Sequence, residues 1–401
     1  LNISFDPIGH FAYVVNQQSD NISVFRVNPQ TGNLAPMETL RTRSQPSGLV
    51  MIQGEAPAQR RATHLYVTSG GSDDVTTFSL STTNGAAIQS GVPPLAGDHP
   101  SDVAVDPFGR FAFVCNRDSD DLTCYEVSTT NGQLQQLGPT VACGDQPSAV
   151  AIDPSGRFVY VTNRGDQTIS SFRLERGTGL LTPIDLDTTS NPQPTDIAID
   201  PTGQNLYVVN QGSDLDPNQD GDVTVYEING TTGELTGVQT GAFAGGSPSS
   251  LIFDRTGRFA IATKRSGDSL TVSLVDQLNG QIEPGPVNDQ PSEREPTDIA
   301  LTPDGRFAFA ALFDNGNQGR VASYSVDLES QELVATGAIT DGANPITLIT
   351  DPSGQTLYVV NFGSEDVSFF SIDPETGLIT TVGSASTGLE PNSIAIREIV
   401  E

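Results

Sequence analysis

The feature that most constrains this 401-residue sequence is one segment that recurs about every fifty residues. Its clearest copy reads Asp-Pro-Ser-Gly-Arg-Phe-Val-Tyr-Val-Thr-Asn and runs from Asp153 to Asn163. Eight copies align on the residue that closes the segment: Asn16, Ser69, Asn116, Asn163, Asn210, Lys264, Leu312 and Asn361. A repeat of this length predicts like-built units packed side by side, because one such unit cannot bury its apolar faces alone.

Each unit has the pattern of four short antiparallel strands. In residues 194–240 a tight Asp-Pro-Thr-Gly turn joins two apolar runs, and a Thr-Gly-Glu-Leu turn follows a third run of alternating residues. Proline, aspartate and glycine favour such turns, since proline fixes one dihedral angle and glycine accepts a positive φ. The predicted strands span 195–199, 205–210 and 222–228, with a more polar fourth strand before Pro248.

These units predict an all-β fold, a β-propeller of eight four-stranded antiparallel blades. A linear β-solenoid fits less well, because its coils are usually shorter. We expect one domain over residues 1–401, with repeats at about 1–47, 48–100, 101–147, 148–194, 195–248, 249–296, 297–345 and 346–401.

The sequence contains one more copy of the first strand of a unit than it has units. Segments that resemble a first strand occur near both ends of the chain, at 2–5 and at 392–396. A closed ring needs only one of them, to complete the blade begun at the other end of the chain. The surplus strand is expected to stay loose or to pair with a protein partner, such as an open sheet edge on a second copy of the chain.

The charge of the chain is strongly negative. It has 49 acidic and 19 basic residues, a net charge of −30, which argues against binding nucleic acid or an anionic membrane through a broad basic face. No apolar run is long enough to span a membrane. Because the sequence starts at Leu1 and shows no leader, we expect that a signal peptide has been removed. The richness in Ser, Thr, Asn and Gly favours an extracellular or cell-surface location.

The predicted strand directions sort the loops onto two ends of the ring. The short, uniform turns fall on one end, and the variable segments fall on the other, where functional residues are expected. His99 lies there as the candidate general base, near Arg117, Arg164 and Arg265 and the first-strand residues Asp102, Asp196 and Asp298. The charged groups either hold an anionic ligand or form ion pairs between blades.

An insertion in the fifth repeat matches the spacing of a calcium-binding loop. Oxygen ligands alternate, a glycine permits the bend and a late carboxylate closes the shell. The predicted Ca²⁺ ligands are Asp214, Asp216, Asn218, Asp220, Asp222 and Glu227. The alternative is a polar, aspartate-rich insertion in a chain that is acidic throughout.

Two cysteines occupy consecutive predicted strands of one hairpin. Cys115 and Cys124 form a disulfide if the register places them opposite each other, and otherwise they are small buried apolar residues.

The unit Arg157–Asn163, after Asp-Pro-Ser-Gly and before a Thr-Gly-x-Leu turn, resembles the lactonase-type β-propeller family. Residues 206–210 after Asp200-Pro201 and 357–361 after Asp351-Pro352 carry the same pattern. The family contains 6-phosphogluconolactonase-like enzymes and the Tyr-Val-Thr-Asn repeat proteins of microbial surfaces. Its usual ring has seven blades, so the resemblance implies seven blades plus an extra repeat as the alternative architecture.

The resemblance also implies two alternative functions. Our main interpretation is a non-catalytic extracellular or cell-surface propeller that serves as an interaction or structural module, self-assembling and calcium-bound. The alternative is a lactone hydrolase resembling 6-phosphogluconolactonase, which acts on a small anionic lactone at the channel mouth. In that case His99 is the base, and Arg117 or Arg164 holds the anion.

Overall fold

The structure is a computed structural model. It describes residues 2–5, 11–16, 21–27, 34–41, 60–184, 188–212, 220–243, 246–283, 289–292, 294–314, 319–327, 330, 332–340 and 342–400. This part of the chain is built from β-strands, turns and loops, and it has no helix long and apolar enough to cross a membrane.

The first four strands form an antiparallel sheet of their own in the order β1-β2-β3-β4. These strands, which we call the N-terminal sheet, are β1 (Asn2–Phe5), β2 (Phe11–Asn16), β3 (Asn21–Val27) and β4 (Leu34–Arg41). They correspond to one complete repeat. The N-terminal sheet uses no strand from the rest of the described chain.

Seven further antiparallel sheets form a ring, and we number these blades 1 to 7 in ring order. The strands up to blade 3 are β5 (Arg60–Ser69), β6 (Asp74–Leu80), β7 (Ala87–Gln89), β8 (Pro100–Val105), β9 (Phe111–Asn116), β10 (Asp121–Val127), β11 (Leu134–Gln136), β12 (Val141–Ala142), β13 (Pro147–Ile152), β14 (Phe158–Asn163), β15 (Thr168–Leu174), β16 (Leu181–Pro183) and β17 (Thr188–Thr189).

The remaining strands are β18 (Pro194–Ile199), β19 (Asn205–Gly212), β20 (Asp220–Ile228), β21 (Leu235–Ala242), β22 (Pro248–Phe253), β23 (Phe259–Lys264), β24 (Ser269–Leu274), β25 (Asp289–Pro291), β26 (Pro296–Leu301), β27 (Phe307–Leu312), β28 (Arg320–Asp327), β29 (Glu332–Ile339), β30 (Pro345–Thr350), β31 (Thr356–Asn361), β32 (Asp366–Ile372), β33 (Ile379–Ser386) and β34 (Pro391–Val400).

Blade 1 closes the ring because it combines strands from the two ends of the segment that forms the ring. It has the order β34-β5-β6-β7, so the C-terminal strand pairs with a strand that begins at Arg60. Blades 2 to 7 start with β8, β13, β18, β22, β26 and β30 and continue in chain order. The first strands contact one another around the circle, and β30 contacts β34.

The all-β propeller is confirmed, and the described ring has the alternative architecture of seven blades plus an extra repeat. The eight-bladed ring does not form because β34 pairs with β5 rather than with β2. Both terminal strands are paired, since β1 pairs with β2 in the N-terminal sheet. Residues 47–52, the first-strand segment that precedes β5 in the sequence, lie outside the described residues. Self-association through a surplus strand stays a prediction.

Hydrogen bonds explain why the repeated motif has its particular residues. In the Asp-Pro-Ser-Gly turn, Asp153 Oδ1 accepts bonds from the backbone N–H of Phe158 at 2.7 Å and of Arg157 at 2.6 Å. Gly156 has a φ of 64°, which glycine adopts without strain. The closing Asn163 donates to the hydroxyls of Thr168 and Ser170. Each motif residue therefore fixes one turn of its own blade.

Tyrosines of the second strands tie neighbouring blades together. Tyr160 donates to Gly233 O of the next blade at 2.9 Å, and Tyr207 donates to Gly280 O at 2.7 Å. Tyr358 of blade 7 donates to Gly85 O of blade 1, across the closure of the ring. The apolar clusters follow the same rule, since each buries side chains of adjacent blades against each other. Hydrogen bonds and apolar packing therefore join each of these blades to the next one.

Candidate functional site

The candidate site lies at the end of the ring where each first strand begins and each second strand ends. In every blade, the residue after the second strand donates its backbone N–H to the carbonyl of the residue before the first-strand proline. Arg117 N donates to His99 O at 3.0 Å, and Arg164 N donates to Gln146 O at 2.9 Å. The equivalent donors in the other blades are Gly70, Gln211, Arg265, Phe313 and Phe362. The predicted sorting of the loops is therefore correct, and we call this end the mouth.

The residues before the prolines adopt an unusual backbone conformation. Their φ angles are 52° for His99, 54° for Gln146, 57° for Gln193, 50° for Ser247, 54° for Asn344 and 51° for Glu390. A positive φ is disfavoured for residues with a side chain and costs about 1 kcal/mol or more each. The N–H groups of His99 and Gln146 are held by Asp73 Oδ1 and Asp120 Oδ1, both at 2.8 Å. Six of the seven loops at the mouth thus share this strained backbone conformation.

A cavity of about 400 Å³ opens at the mouth. The three predicted residues His99, Arg117 and Arg164 all line it, and so does Arg265. The other lining residues are Ser101, Gln146, Ser148, Thr195, Gln211, Ser249, Thr297, Ile346 and Asn392. The structure therefore brings together one imidazole, three guanidinium groups and several amides and hydroxyls in one compartment.

His99 has an acidic neighbour that the sequence interpretation missed. Its Nδ1 lies 3.9 Å from Asp118 Oδ2, and Asp118 Oδ1 accepts a 3.0 Å hydrogen bond from Arg117 Nε. That bond lowers the pKa of Asp118, and the charges of Arg117 and His99 add to the effect. Asp118 directly follows Arg117 in the sequence, which is the signal that could have identified it.

A glycine makes room for the imidazole. A Cβ atom at Gly70 would lie 2.7 Å from His99 Nε2 and 2.6 Å from Asn392 Nδ2, closer than such contacts allow. Blade 1 therefore has glycine where blades 2 and 3 have arginine.

The arginines are held by groups of the next loops. Arg164 Nη2 donates to the amide oxygens of Gln193 at 2.6 Å and Gln211 at 3.1 Å. Arg265 Nε donates to Glu295 Oε2 at 2.9 Å, and its guanidinium lies over the ring of Phe313, 5.4 Å from the centroid. The guanidinium groups of Arg164 and Arg265 are thus held in place before a ligand binds, which lowers the entropy cost of binding.

The three first-strand aspartates lie one residue deeper in the channel. They line a smaller cavity of about 210 Å³. Asp102 accepts bonds from Val150 N at 2.7 Å and Ser393 Oγ at 2.5 Å, in the blades on either side. Asp298 likewise accepts from Ser250 Oγ and Leu348 N, and Asp196 accepts from Leu251 N at 3.1 Å. These aspartates therefore tie blades together through hydrogen bonds, not through the ion pairs with arginine that the sequence suggested.

Burial in the channel raises the pKa of all three carboxyl groups. The pKa of Asp102 rises to about 6 and that of Asp196 to about 7, in each case first because the charged form loses solvation. Repulsion from Asp298 adds to both. The pKa of Asp298 is raised as well, although hydrogen bonds from Ser250, Thr347 and two backbone N–H groups oppose the shift.

The predicted calcium ligands are only partly within the described residues. Asp214, Asp216 and Asn218 lie outside them, and so does the side chain of Asp220. Asp222 is buried and accepts bonds from Asn191 Nδ2, Asn210 Nδ2 and Gly241 N. Elsewhere in the described chain no group of three His, Cys, Asp or Glu side chains is placed to hold a metal ion.

The predicted ligand set cannot include both Asp222 and Glu227 on one ion. In the register of β19 and β20, Asp222 pairs with Asn210 and Glu227 pairs with Asn205. Five residues of extended strand separate the two by about 17 Å, too far for one ion. The calcium-loop pattern requires the chain to curl around the ion, and here the last part of the motif is a strand. A Ca²⁺ ion in the loop before Asp222 stays a prediction.

The two hairpin cysteines are free and buried. Cys115 pairs in register with Leu122, and Cys124 pairs with Phe113, so they are not opposite each other. Of the two alternatives, the structure has the small buried apolar residues.

With this geometry established, comparison with known proteins identifies the family. The profile of the family described as "Lactonase, 7-bladed beta-propeller" matches residues 2–146, 140–242 and 284–396. The matched segments cover most of the chain. This chain belongs to that family.

Curated relatives are similar over part of their length. A 6-phosphogluconolactonase of Pectobacterium carotovorum subsp. carotovorum is 24% identical over 185 residues, which are 43% of this chain and 54% of that protein. A 6-phosphogluconolactonase of Formosa agariphila is 27% identical over 139 residues, 33% of this chain and 38% of that protein. The chain thus spans about half or less of these relatives.

Solved structures share the fold. A putative 6-phosphogluconolactonase from Bacteroides uniformis superposes with a TM-score of 0.73 at 20% identity and covers 84% of this chain and 99% of its own. The periplasmic gluconolactonase of Pseudomonas aeruginosa gives a TM-score of 0.68 at 21% identity, covering 83% and 98%. At these identities the likeness establishes the fold alone.

The interpretation as a non-catalytic interaction module is therefore corrected. The matched family is a lactonase family, and both curated relatives above are named 6-phosphogluconolactonase. The repeat pattern misled the interpretation, since it reports the scaffold and says nothing about the chemistry at the mouth.

Proposed function

We propose that this chain is a lactone hydrolase that acts on a small anionic lactone at the mouth of the channel. One observation carries the proposal: His99, Arg117, Arg164 and Arg265 line the same cavity of about 400 Å³. A lactone with a carboxylate or phosphate needs cationic groups for the anion and a base for the attacking water. The names of the curated relatives support the same chemistry.

In the proposed reaction His99 moves one proton. It takes the proton from a water molecule as the water oxygen bonds to the lactone carbonyl carbon. When the tetrahedral intermediate collapses, the bond from that carbon to the ring oxygen breaks, and His99 returns the proton to the ring oxygen. The product is an open-chain hydroxy acid. Arg117 and Arg164 hold the anionic substituent, so that the carbonyl faces the imidazole.

Asp118 is proposed as the positioning residue for His99. Its carboxylate faces Nδ1 at 3.9 Å and is itself held by Arg117. A carboxylate on that side stabilises the protonated imidazole that forms during attack and leaves Nε2 for the water.

The test follows hydrolysis of anionic lactones, 6-phosphogluconolactone among them, by acid release in a pH-stat with the spontaneous rate subtracted. We expect His99→Gln to lower kcat by about 10²-fold or more. Arg164→Gln should raise KM about 10-fold or more, because a charge-assisted bond to the anion is lost. Asp118→Asn should lower kcat less than His99→Gln does and leave KM unchanged.

Arg306→Gln is the matched control, since Arg306 is an exposed arginine on a turn at the opposite end of the ring. It should hydrolyse the lactones at the wild-type rate. If wild-type protein hydrolyses none of the anionic lactones above the spontaneous rate, or if His99→Gln is as active as wild type, the proposal is wrong.

A further inference from the structure

The mouth is polar on one side of the ring and apolar on the other. At the position after the second strand, blades 2 to 5 carry arginine or glutamine, and blades 6 and 7 carry Phe313 and Phe362. Phe313 lies beneath the guanidinium of Arg265. Phe362 is 39% exposed. The equivalent residues of blades 2 to 5 line the cavity, whereas Phe313 and Phe362 do not, so Phe362 offers an exposed apolar surface at the mouth beside the cavity.

The layer just inside the channel has the same asymmetry. The second residue of the first strand bears a hydroxyl in blades 2 to 6 and an amide in blade 1, but it is Ile346 in blade 7. The hydroxyls connect blades: Ser148 donates to Pro194 O at 2.9 Å, and Ser249 donates to Pro296 O at 2.9 Å. Isoleucine cannot make this bond. Blade 7 therefore gives up a hydrogen bond between blades and presents an apolar side chain to the cavity.

The order of blades in the ring fixes where these two apolar residues lie relative to the charges. Counting around seven blades, blade 7 is opposite blades 3 and 4. Those two blades carry Arg164 and Gln211, which are bonded to each other. A ligand spanning the cavity would thus meet a guanidinium at one end and Ile346 at the other. A substituent that extends past Ile346 towards the mouth would reach Phe362 of the same blade, which lies outside the cavity lining.

We propose that the substrate is an amphipathic lactone, with a carboxylate or phosphate held by the arginines and an alkyl or aryl substituent packed on Ile346 and Phe362. This inference rests on the proposed function and names its substrate class. An apolar substituent there is removed from contact with water, which favours its binding. A lactone hydroxylated at that end would lose hydrogen bonds to water against Ile346 without replacement, which disfavours it.

The experiment compares kcat/KM for two anionic lactones of similar size. One is 6-phosphogluconolactone, and the other is a γ-lactone with a carboxylate and a phenyl substituent. Wild-type protein is expected to prefer the phenyl lactone. Ile346→Thr and Phe362→Gln install the residues that this chain has at the equivalent positions, Thr297 and Gln211. Each should lower the ratio of the two kcat/KM values about 10-fold.

Val334→Thr is the control, since Val334 is 55% exposed on the outer strand β29. It should leave the ratio unchanged. A wild-type preference for the hydroxylated lactone, or a ratio that neither variant at the mouth alters, would overturn the inference while leaving the lactonase proposal intact.

If neither lactone is hydrolysed, the proposed function is wrong. The predicted apolar contact with Ile346 is then tested by measuring binding affinities. Titration calorimetry with the two hydroxy acid products should give tighter binding of the phenyl compound, weakened about 10-fold in Ile346→Thr. Equal affinities in wild-type protein and Ile346→Thr would reject the apolar contact itself. The melting temperature of each variant separates these effects from unfolding.

Discussion

Three carboxyl groups face the inside of the channel, and their burial makes the stability of the ring depend on pH. The pKa of Asp196 is about 7 in the folded protein, against an ordinary value of 3.8. The folded chain therefore holds this proton more tightly than the unfolded chain does. The stabilising contribution of Asp196 is complete below about pH 4 and is lost as the pH rises towards 7.

We therefore predict that Asp196→Ser flattens the pH dependence. Serine is the residue of blades 1 and 5 at this position, Ser393 and Ser250. The melting temperature of the variant relative to wild type should rise by about 2–5 °C between pH 5 and pH 8. Scanning calorimetry at both pH values measures it. Asp304→Ser, which removes an exposed aspartate, is the control, and a difference that does not vary with pH would contradict the prediction.

At the scale of the strands, the decisive event is the pairing of β34 with β5. Both β1 and β34 have the sequence pattern of a first strand. Nothing in the sequence of either strand indicates which of them closes the ring. Ile394 is 7% exposed and pairs with Val67, within the apolar cluster shared by blades 1 and 7. Ile3 pairs with Val14 in the N-terminal sheet. The two isoleucines, at the same position of the motif, thus lie in different sheets.

This difference predicts unequal effects of one substitution. Ile394→Ala should lower the free energy of unfolding of the ring by about 2–4 kcal/mol, because it leaves a cavity at the closure. Ile3→Ala should leave the unfolding transition of the ring unchanged. Urea unfolding followed by tyrosine fluorescence tests both, and equal destabilisation by the two variants would argue for an eight-bladed closure.

At the scale of the whole molecule, the ring closes without the N-terminal sheet. The bond from Tyr358 to Gly85 O and the pairing of β34 with β5 complete the circle from residues 60 to 400. The arginines, His99 and the aspartates of the channel all belong to this circle.

A protein lacking residues 1–59 should therefore keep the main unfolding transition and the lactone hydrolysis of the full chain. We expect a melting temperature within about 3 °C of the full-length value, since every strand that the structure describes in the seven blades lies between residues 60 and 400. Calorimetry and the pH-stat assay check this. Loss of cooperative unfolding in the shortened chain would mean that the ring needs the first repeat.

The sequence by itself determined the strands and turns of each blade and the end of the ring at which the candidate site lies. The Asp-Pro-x-Gly turn, the apolar second strand and the closing asparagine act over a few residues, so the pattern alone reveals them. The same local logic placed His99, Arg117 and Arg164 at one mouth, because the direction of each strand follows from its turns.

Tertiary structure decided everything that depends on distant pairing. Whether β34 joins β5 or β2 is a choice between two similar strands, and it sets the number of blades. The partnership of His99 with Asp118, the depth of Asp102, Asp196 and Asp298 and the separation of Glu227 from Asp222 follow from register and burial. The first and third of these depend on the strand register within one blade, and the depth of the three aspartates depends on the packing of neighbouring blades, so the pattern of a single repeat does not reveal them.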